Sequence, residues 1–171
     1  MDLKNIIRNI PNYPIEGVLF RDITTVLKDK DALKYSVDEI MKSLEGVEFD
    51  YILGPESRGF IFAMPIAYNM NKGFIPVRKA GKLPAETIGK EYDLEYGTAT
   101  LEIHKDALKK GDKVIIVDDL LATGGTCKAI VELVESIGAE VVSLNFFIEL
   151  ESLKGRELFE GYNVKSVVRY E

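Results

Sequence analysis

A short apolar run that ends in two acidic residues and continues into a glycine turn is the feature that most constrains this chain. Val114 to Val117 are four β-branched residues, typical of a strand buried on both faces in a parallel sheet. Asp118 and Asp119 follow, and an amphipathic helical pattern that Gly138 ends comes after the turn residues Ala122, Thr123, Gly124, Gly125 and Thr126. Because a helix N-terminus offers free backbone N–H groups to an anion, this stretch predicts a site for a phosphate beside two carboxylates, as a phosphorylated sugar requires.

Two other interpretations fit parts of this stretch. Any strand-turn-helix unit can have acidic residues at its strand end and bind nothing, although ligands in open α/β sheets do bind beyond the carboxyl ends of strands. A P-loop NTPase also has an Asp at the end of such a strand, but it needs G-x-x-x-x-G-K-[ST] elsewhere. Gly54 to Gly59 has the glycine spacing but continues with Phe60 and Ile61, so the sequence excludes that class.

Length and composition restrict the class of protein. A chain of 171 residues fits one domain, and its net charge of −6 argues against a nucleic-acid partner. The apolar runs are too short to span a bilayer and residues 1–10 do not resemble a signal peptide, so we expect no membrane contact and a cytoplasmic location. A single Cys127 and a single His104 leave no Cys/His metal site, so any metal must arrive with the substrate.

These two residues have ordinary expected roles. Cys127 lies in the first turn of the predicted helix, where a thiol pKa can be lowered, but inert packing is the more frequent role. His104 is expected at the surface end of a strand.

Strands and helices alternate along the chain, which predicts an α/β fold with a doubly wound, mainly parallel sheet and right-handed crossovers. We expect Asp29 to cap a helix that ends near Gly46, and Pro65 to kink the next helix or lie near its start. Residues 2–9 and 152–159 are predicted as short helices, and 92–103 as strands or a hairpin. Between them, residues 78–91 are predicted as a long functional loop in which Arg78, Lys79, Lys82 and Lys90 concentrate positive charge. The other expected strands cover 49–53, 74–77, 140–148 and 164–168.

The stretch from Val114 to Thr126 closely resembles the motif that binds 5-phosphoribosyl diphosphate (PRPP) in type I phosphoribosyltransferases. The form D-D-L-L-A-T-G-G-T is similar to that of the adenine-specific branch. Further similar segments follow the order of the family, with L-F-R at 19–21, G-P-E-S-R-G at 54–59, R-K-x-G-K-L-P at 78–84, L-E-Y-G at 94–97 and E-L-x-S-L-K-G-R at 149–156. The resemblance implies the fold of that family as one domain over residues 1–171, with about the first 30 residues forming a small hood over the base.

The resemblance also implies an activity, namely transfer of the phosphoribosyl group from PRPP to adenine, giving AMP and pyrophosphate in purine salvage. Asp118 and Asp119 match the acids that hold the ribose, and the Ala122 to Thr126 loop matches the 5′-phosphate loop. Positions matching the pyrophosphate side are Arg58, Arg78, Lys79 and Lys82. On the adenine side, the matching positions Leu19, Phe20 and Arg21 read the purine largely through backbone groups. Leu150 matches the residue that packs on the base. Glu95 matches the proposed acid/base at N7, with Tyr96 beside it. The family implies Mg²⁺ held mainly by substrate oxygens, and a homodimer.

Two alternatives remain open from the sequence. A PRPP-sensing regulator could keep this fold, but we would expect it to carry an added DNA-binding segment. An enzyme for another purine, such as hypoxanthine or xanthine, could also share the motifs. Ala122 stands where the hypoxanthine-guanine branch has an Asp, and the absence of that candidate base favours adenine.

Overall fold

The computed structural model of the protein describes residues 1–94 and 96–171. The chain divides into two compact units, Met1–Glu39 and Ile40–Glu171. In the first unit a 3-10 turn (Leu3–Asn5) precedes an antiparallel pair of strands, β1 (Arg8–Pro11) and β2 (Leu19–Asp22). Helix α1 (Thr24–Lys28) and the start of α2 (Lys30–Ser43) follow. The single domain and the role of the first 30 residues as a hood stay predictions.

Polar side chains fix the start of both helices in the first unit. The carboxylate of Asp22 accepts the Thr24 N–H at 2.9 Å and the Nε of Arg8 at 2.8 Å. The hydrogen bonds from Thr24 and then from Arg8 lower the pKa of Asp22 below its usual range. Asp29 Oδ1 accepts the N–H groups of residues 31 and 32, each at 3.0 Å, which confirms the expected cap of α2.

The second unit is built on a seven-stranded sheet. Its strands in chain order are β3 (Tyr51–Pro55), β4 (Gly73–Lys79), β5 (Thr87–Asp93), β6 (Thr98–His104), β7 (Lys113–Leu121), β8 (Glu140–Leu150) and β9 (Val164–Tyr170). Across the sheet the order is β5-β6-β4-β3-β7-β8-β9. Five neighbouring strands are parallel, namely β4, β3, β7, β8 and β9. β6 pairs antiparallel with both β4 and β5. This confirms the mainly parallel sheet.

The chain leaves the centre of this sheet in two opposite directions. From β3 it passes through α3 (Arg58–Met70) to β4 on one side, and from β7 through α4 (Gly125–Ser136) to β8 on the other. Right-handed crossovers in opposite directions place the two helices on opposite faces of the sheet. The carboxyl ends of β3 and β7 are neighbours at this reversal, where ligands bind in doubly wound folds.

Apolar packing on each face holds the ends of these strands in place. Residues Val114 and Ile116 of β7 share one buried cluster with Ile130 and Val134 of α4. On α3, the fully buried ring of Phe62 stacks on Phe147 of β8, with ring centroids 4.8 Å apart. Both helices are therefore fixed to the sheet just behind the reversal.

The structure corrects several details of the sequence prediction. Residues 2–9 do not form one helix, because residues 8–11 pair with β2. The predicted basic loop is also too long, since β5 pairs with β6 through Gly89 and Glu102, and only residues 80–86 remain irregular. β5 is an edge strand with mostly exposed polar side chains, so it lacks the apolar alternation that reveals a strand. On β5, Lys90 Nζ lies 3.3 Å from Glu132 of α4, and so it does not belong to a loop patch.

Two other elements also differ from the prediction. The short helix predicted for residues 152–159 is instead two 3-10 turns, Glu151–Leu153 and Gly155–Phe159, separated by the left-handed Lys154 at φ +57°. Pro65 lies inside α3, which runs from Arg58 to Met70, so it does not mark the start of the helix, and the expected kink stays a prediction. No helix in the described part of the chain is long and apolar enough to cross a membrane.

We expect Phe62→Ala to lower the free energy of unfolding by about 3–5 kcal/mol, because it leaves a cavity under α3. Phe62→Leu, which fills most of that volume, should lose less than half as much. Urea unfolding of both variants measures the difference. Equal stability of the two variants would show that this contact does not anchor α3.

Candidate active site

A cavity of about 490 Å³ opens at the carboxyl ends of β3 and β7. It is lined by Pro55, Glu56, Ser57, Arg58, Lys79, Asp118, Asp119, Leu120, Leu121, Ala122, Thr123, Gly124, Gly125, Thr126 and Cys127. Thus the acidic pair, the glycine turn, Arg58 and Lys79 come together from three separate parts of the chain. The sequence predicted each of these residues as part of one site.

The two carboxylates are fixed by the backbone around them. Asp119 is 7% exposed, and its N–H donates to Asp118 Oδ1 at 2.8 Å. A Cβ at Gly59, in the first turn of α3, would stand 3.0 Å from the same oxygen and 2.7 Å from Pro55 Cδ. Only glycine at position 59 therefore lets α3 start this close to the acidic pair.

The acidic pair is electrostatically unequal. Burial, followed by the negative charge of Asp119, raises the pKa of Asp118 well above its usual range. Arg58 Nε lies 2.8 Å from Asp119 Oδ2 and opposes that rise. The Arg58 side chain is 48% exposed, so a ligand in the cavity can reach the guanidinium.

The turn after β7 presents backbone donors to the cavity. Gly124 adopts φ +88°, in the left-handed region that favours glycine, and α4 begins at the next residue. The first N–H groups of a helix have no partner within it, so those at the start of α4 can hold an anion. Thr123 is exposed and Thr126 is half-buried, and both residues line the cavity.

Cys127 is buried in the core beneath this turn. Burial and the charge of Asp118 raise the pKa of its thiol well above the usual range. The hypothesis that the thiol pKa is lowered is therefore wrong, and the burial of Cys127 agrees with the expected packing role.

The cationic side of the cavity is organised by Glu56, which the sequence did not single out. Its Oε1 accepts the Lys79 N–H at 2.8 Å and lies 3.4 Å from Arg78 Nε. The hydrogen bond from Lys79, together with the charges of Arg78, Lys82 and Lys79, lowers the pKa of Glu56 despite its burial. Glu56 thereby ties the end of β4 to the end of β3. The peptide bond between Glu56 and Ser57 is cis.

Two of the predicted pyrophosphate residues take other positions. Arg78 forms the ion pair with Glu56, and Lys82 is exposed in the irregular segment that follows β4. Neither belongs to the described residues that line the cavity. Their contact with a ligand stays a prediction.

The residues predicted for the base lie in several elements. In the first unit, the ring of Phe20 meets Tyr13 edge to face with centroids 5.1 Å apart, and Arg21 Nη1 donates to Asn9 Oδ1 at 2.5 Å. Leu19, in the same strand, is 46% exposed. In the second unit, Leu150 is half-buried at the end of β8, and Tyr96 is 88% exposed between β5 and β6.

Glu95, the predicted acid/base, lies outside the described residues. His104 ends β6, as expected, and its Nε2 accepts the Ala85 N–H at 3.4 Å.

Comparisons with known proteins agree with this geometry. The model of the phosphoribosyl transferase domain family matches residues 24–169. The chain is 60% identical over 168 residues to an adenine phosphoribosyltransferase of Lachnoclostridium phytofermentans, covering 98% of this chain and 97% of the relative.

Solved structures share the whole fold. The crystal structure of adenine phosphoribosyltransferase from Thermoanaerobacter pseudethanolicus superimposes with a TM-score of 0.95 at 54% identity, covering 99% of this chain and 98% of the other. The enzyme from Saccharomyces cerevisiae, in complex with an imino-altritol bisphosphate and adenine, superimposes with a TM-score of 0.90 at 40% identity. The match covers 97% of this chain and 96% of the other.

We expect Asp118→Asn to stabilise the protein without ligand while it impairs catalysis. The folded state holds a proton at Asp118 more tightly than the unfolded chain, so the charged carboxylate costs stability above the raised pKa. At neutral pH the variant should therefore have a higher free energy of unfolding than the wild type, by an amount that grows with the difference between the folded and unfolded pKa values. Urea unfolding should show this gain shrinking as the pH falls from the raised pKa toward the ordinary value.

Asp119→Asn is the matched control, because it removes the repulsion on Asp118 but also the ion pair with Arg58, so its gain should be smaller than that of Asp118→Asn. A loss of stability in Asp118→Asn at neutral pH would contradict the proposed charge imbalance.

Proposed function

This chain belongs to the adenine phosphoribosyltransferases of the phosphoribosyl transferase family, and from that premise we propose how its residues act on PRPP and adenine. In the reaction, N9 of adenine bonds to C1′ of the ribose while the C1′–O bond to pyrophosphate breaks, and the proton that adenine carries at N7 passes to Glu95. AMP and pyrophosphate are the products. The observation that carries the assignment is the single cavity in which a helix N-terminus, an acidic pair and two cations converge.

Each part of PRPP has a chemical match in the cavity. The 5′-phosphate lies on the N–H groups at the start of α4, with Thr123 and Thr126 donating their hydroxyls. The ribose hydroxyls donate to Asp118 and Asp119. The diphosphate lies toward Arg58, whose forked donors suit phosphate oxygens. Lys79 adds a second positive charge on that side.

The acidic pair also acts on the transition state. As the bond to pyrophosphate breaks, positive charge develops on the ribose ring, and two carboxylates held beside it stabilise that charge. Glu95 acts as the acid/base at adenine N7, an assignment that rests on the L-E-Y-G resemblance. The irregular segment of residues 80–86 helps to exclude water, which would otherwise compete with adenine for the ribosyl cation.

Magnesium is proposed to arrive with PRPP. No cluster of three or more His, Cys, Asp or Glu that could hold a metal ion exists within residues 1–94 and 96–171. A site with two carboxylates suits Mg²⁺ held mainly by ribose and diphosphate oxygens, since this ion prefers substrate phosphates and water to an all-protein cage. When bound, the ion would neutralise charge on the leaving pyrophosphate, while Asp118 and Asp119 would hold the ribose hydroxyls beside it.

Adenine recognition is assigned to main-chain groups of β2. The first unit has a two-stranded sheet, so β2 has one edge that no strand of that sheet covers. In an antiparallel pair, alternate residues direct both N–H and C=O away from the partner strand. One residue can thus offer the donor and the acceptor that match N1 and the amino group of adenine. The Arg21 side chain is already engaged by Asn9, which favours backbone readout over side-chain readout.

Oligomeric state and location are part of the same proposal. The family implies a homodimer, and the exposed side chains of Ile61, Met64 and Tyr68 on one face of α3 give it a suitable apolar surface. A cytoplasmic role in purine salvage is consistent with a chain that has one cysteine and therefore no internal disulfide.

We expect Thr123→Ala and Thr126→Ala each to weaken PRPP binding by about 10- to 100-fold, the worth of a hydrogen bond to a charged group. Ser136→Ala is the matched control, because it removes a hydroxyl from the opposite end of α4. Titration calorimetry with PRPP and Mg²⁺ provides the affinities. Wild-type affinity in both threonine variants would remove the phosphate site from this turn.

We expect adenine to be preferred over hypoxanthine and guanine by tens-fold to thousands-fold in kcat/KM. A 6-oxopurine reverses both hydrogen bonds at the edge that a fixed backbone donor and acceptor read, and each mismatch costs about 1–3 kcal/mol. Pyrophosphate release with saturating PRPP and each purine measures this. Hypoxanthine used within about tenfold of adenine would refute the adenine assignment but not phosphoribosyl transfer.

A further inference from the structure

A buried carboxylate lies behind the active site and makes no contact with the cavity. Glu149, at the end of β8, is 2% exposed. Its two oxygens accept Arg156 Nε at 2.9 Å and Arg156 Nη2 at 2.5 Å, and Ser166 Oγ donates to Oε2 at 2.5 Å. Arg156 Nη1 also donates to the Val164 carbonyl at 2.8 Å. The guanidinium is therefore held on two sides, in the forked geometry that gives the most directional ion pair.

Arg156 belongs to the 3-10 turn that supports the phosphate loop. A Cβ at the preceding Gly155 would overlap the carbonyl oxygen of Ala122 and stand 3.0 Å from Leu121 Cδ1. From the other side, a Cβ at Gly124 would stand 3.1 Å from the Gly155 carbonyl oxygen. The backbones of Gly155 and the phosphate loop are thus in direct contact, and a shift at Arg156 reaches the loop through one residue.

The carboxylate of Glu149 has a second cationic neighbour, Arg169, which lies outside the turn that contains Arg156. Arg169 Nε lies 3.4 Å from Glu149 Oε2, and Arg169 Nη2 lies 2.6 Å from Glu151. Arg169 is on β9, and its side chain is 50% exposed. It shares Glu149 with Arg156 but does not belong to the turn that touches the loop. The chain thus contains its own control for the effect of charge alone.

We propose that Glu149 and Arg156 are positioning residues, which hold Gly155 against Ala122 and Gly124 so that the N–H groups of the loop point at the 5′-phosphate of PRPP. The inference rests on the proposed function, because it assigns the loop to that phosphate. Hydrogen bonds from Arg156 and Ser166 keep the pKa of Glu149 below its usual range although burial would raise it, so the pair stays charged at neutral pH.

The test compares Arg156→Lys, which keeps the charge and loses the fork, with Arg169→Gln, which removes a charge beside the same carboxylate. In Arg156→Lys we expect the dissociation constants of PRPP with Mg²⁺ and of ribose 5-phosphate alone to rise by about tenfold or more, as displaced supporting groups commonly cause. Hydrogen exchange at the amides of residues 123–126 should speed up. In Arg169→Gln both affinities and the exchange should remain at wild-type values, even if the melting temperature falls.

Gly155→Ala tests the contact between Gly155 and the loop without changing a charge. It should also weaken the binding of PRPP and of ribose 5-phosphate. If Arg156→Lys does not fold, Ser166→Ala removes one hydrogen bond from Glu149 and takes its place. Wild-type affinities in folded Arg156→Lys, or in Ser166→Ala where it takes that place, would overturn the inference. An equal loss of affinity in Arg169→Gln would also overturn it. Failure of the wild-type protein to bind either ligand would instead refute the proposed function.

Discussion

Two carboxylates held side by side at the end of a buried strand impose the main constraint on this structure. Burial and mutual repulsion disfavour the charge on Asp118, and Arg58 offsets this only in part, since the pKa of Asp118 still lies well above its usual range. The surrounding chain adapts to the pair through the N–H of Asp119 and through Gly59, where any side chain would collide. On the proposed assignment, the folded protein gives up some stability so that negative charge is in place when the ribose becomes positive.

The reversal of strand order lets groups of opposite charge share one cavity. The end of β7 supplies the acids and leads to the N-terminus of α4, which can hold an anion, whereas the start of α3 and the end of β4 supply Arg58 and Lys79. On the proposed assignment, the phosphate end and the pyrophosphate end thus belong to different crossovers, with the acids between them. The contact of Gly155 with the loop adds a brace from the chain after β8, so the cavity depends on residues that lie far apart in sequence.

Local signals in the sequence predicted the central part of this arrangement and missed its supports. The strand, acidic pair, glycine turn and helix around Asp118 are consecutive, so each is visible from periodicity and turn chemistry. β5 was missed because a polar edge strand has no buried face to create alternation. The roles of Glu56 and Gly155 depend on partners 23 and 33 positions away, Lys79 and Ala122, and no local pattern reports such contacts. The ion pair of Arg78 with Glu56 is also a nonlocal pairing, and the contact of Arg78 with the diphosphate stays a prediction.

Net charge does not explain why this cavity would attract PRPP, since the chain carries −6 and the cavity is lined by three acids, Glu56, Asp118 and Asp119, against two bases, Arg58 and Lys79. Placement explains it better. Asp119 is paired with Arg58 Nε at 2.8 Å, so a diphosphate that draws Arg58 away would leave Asp119 without that partner in a buried position. A ribose diphosphate solves this problem, because its hydroxyl groups can donate to Asp119 while its phosphates accept from Arg58. Free pyrophosphate could accept only from Arg58, and a simple ribose could donate only to Asp119. The ion pair therefore favours a ligand that carries both groups, which is a selectivity that a purely cationic pocket would not have.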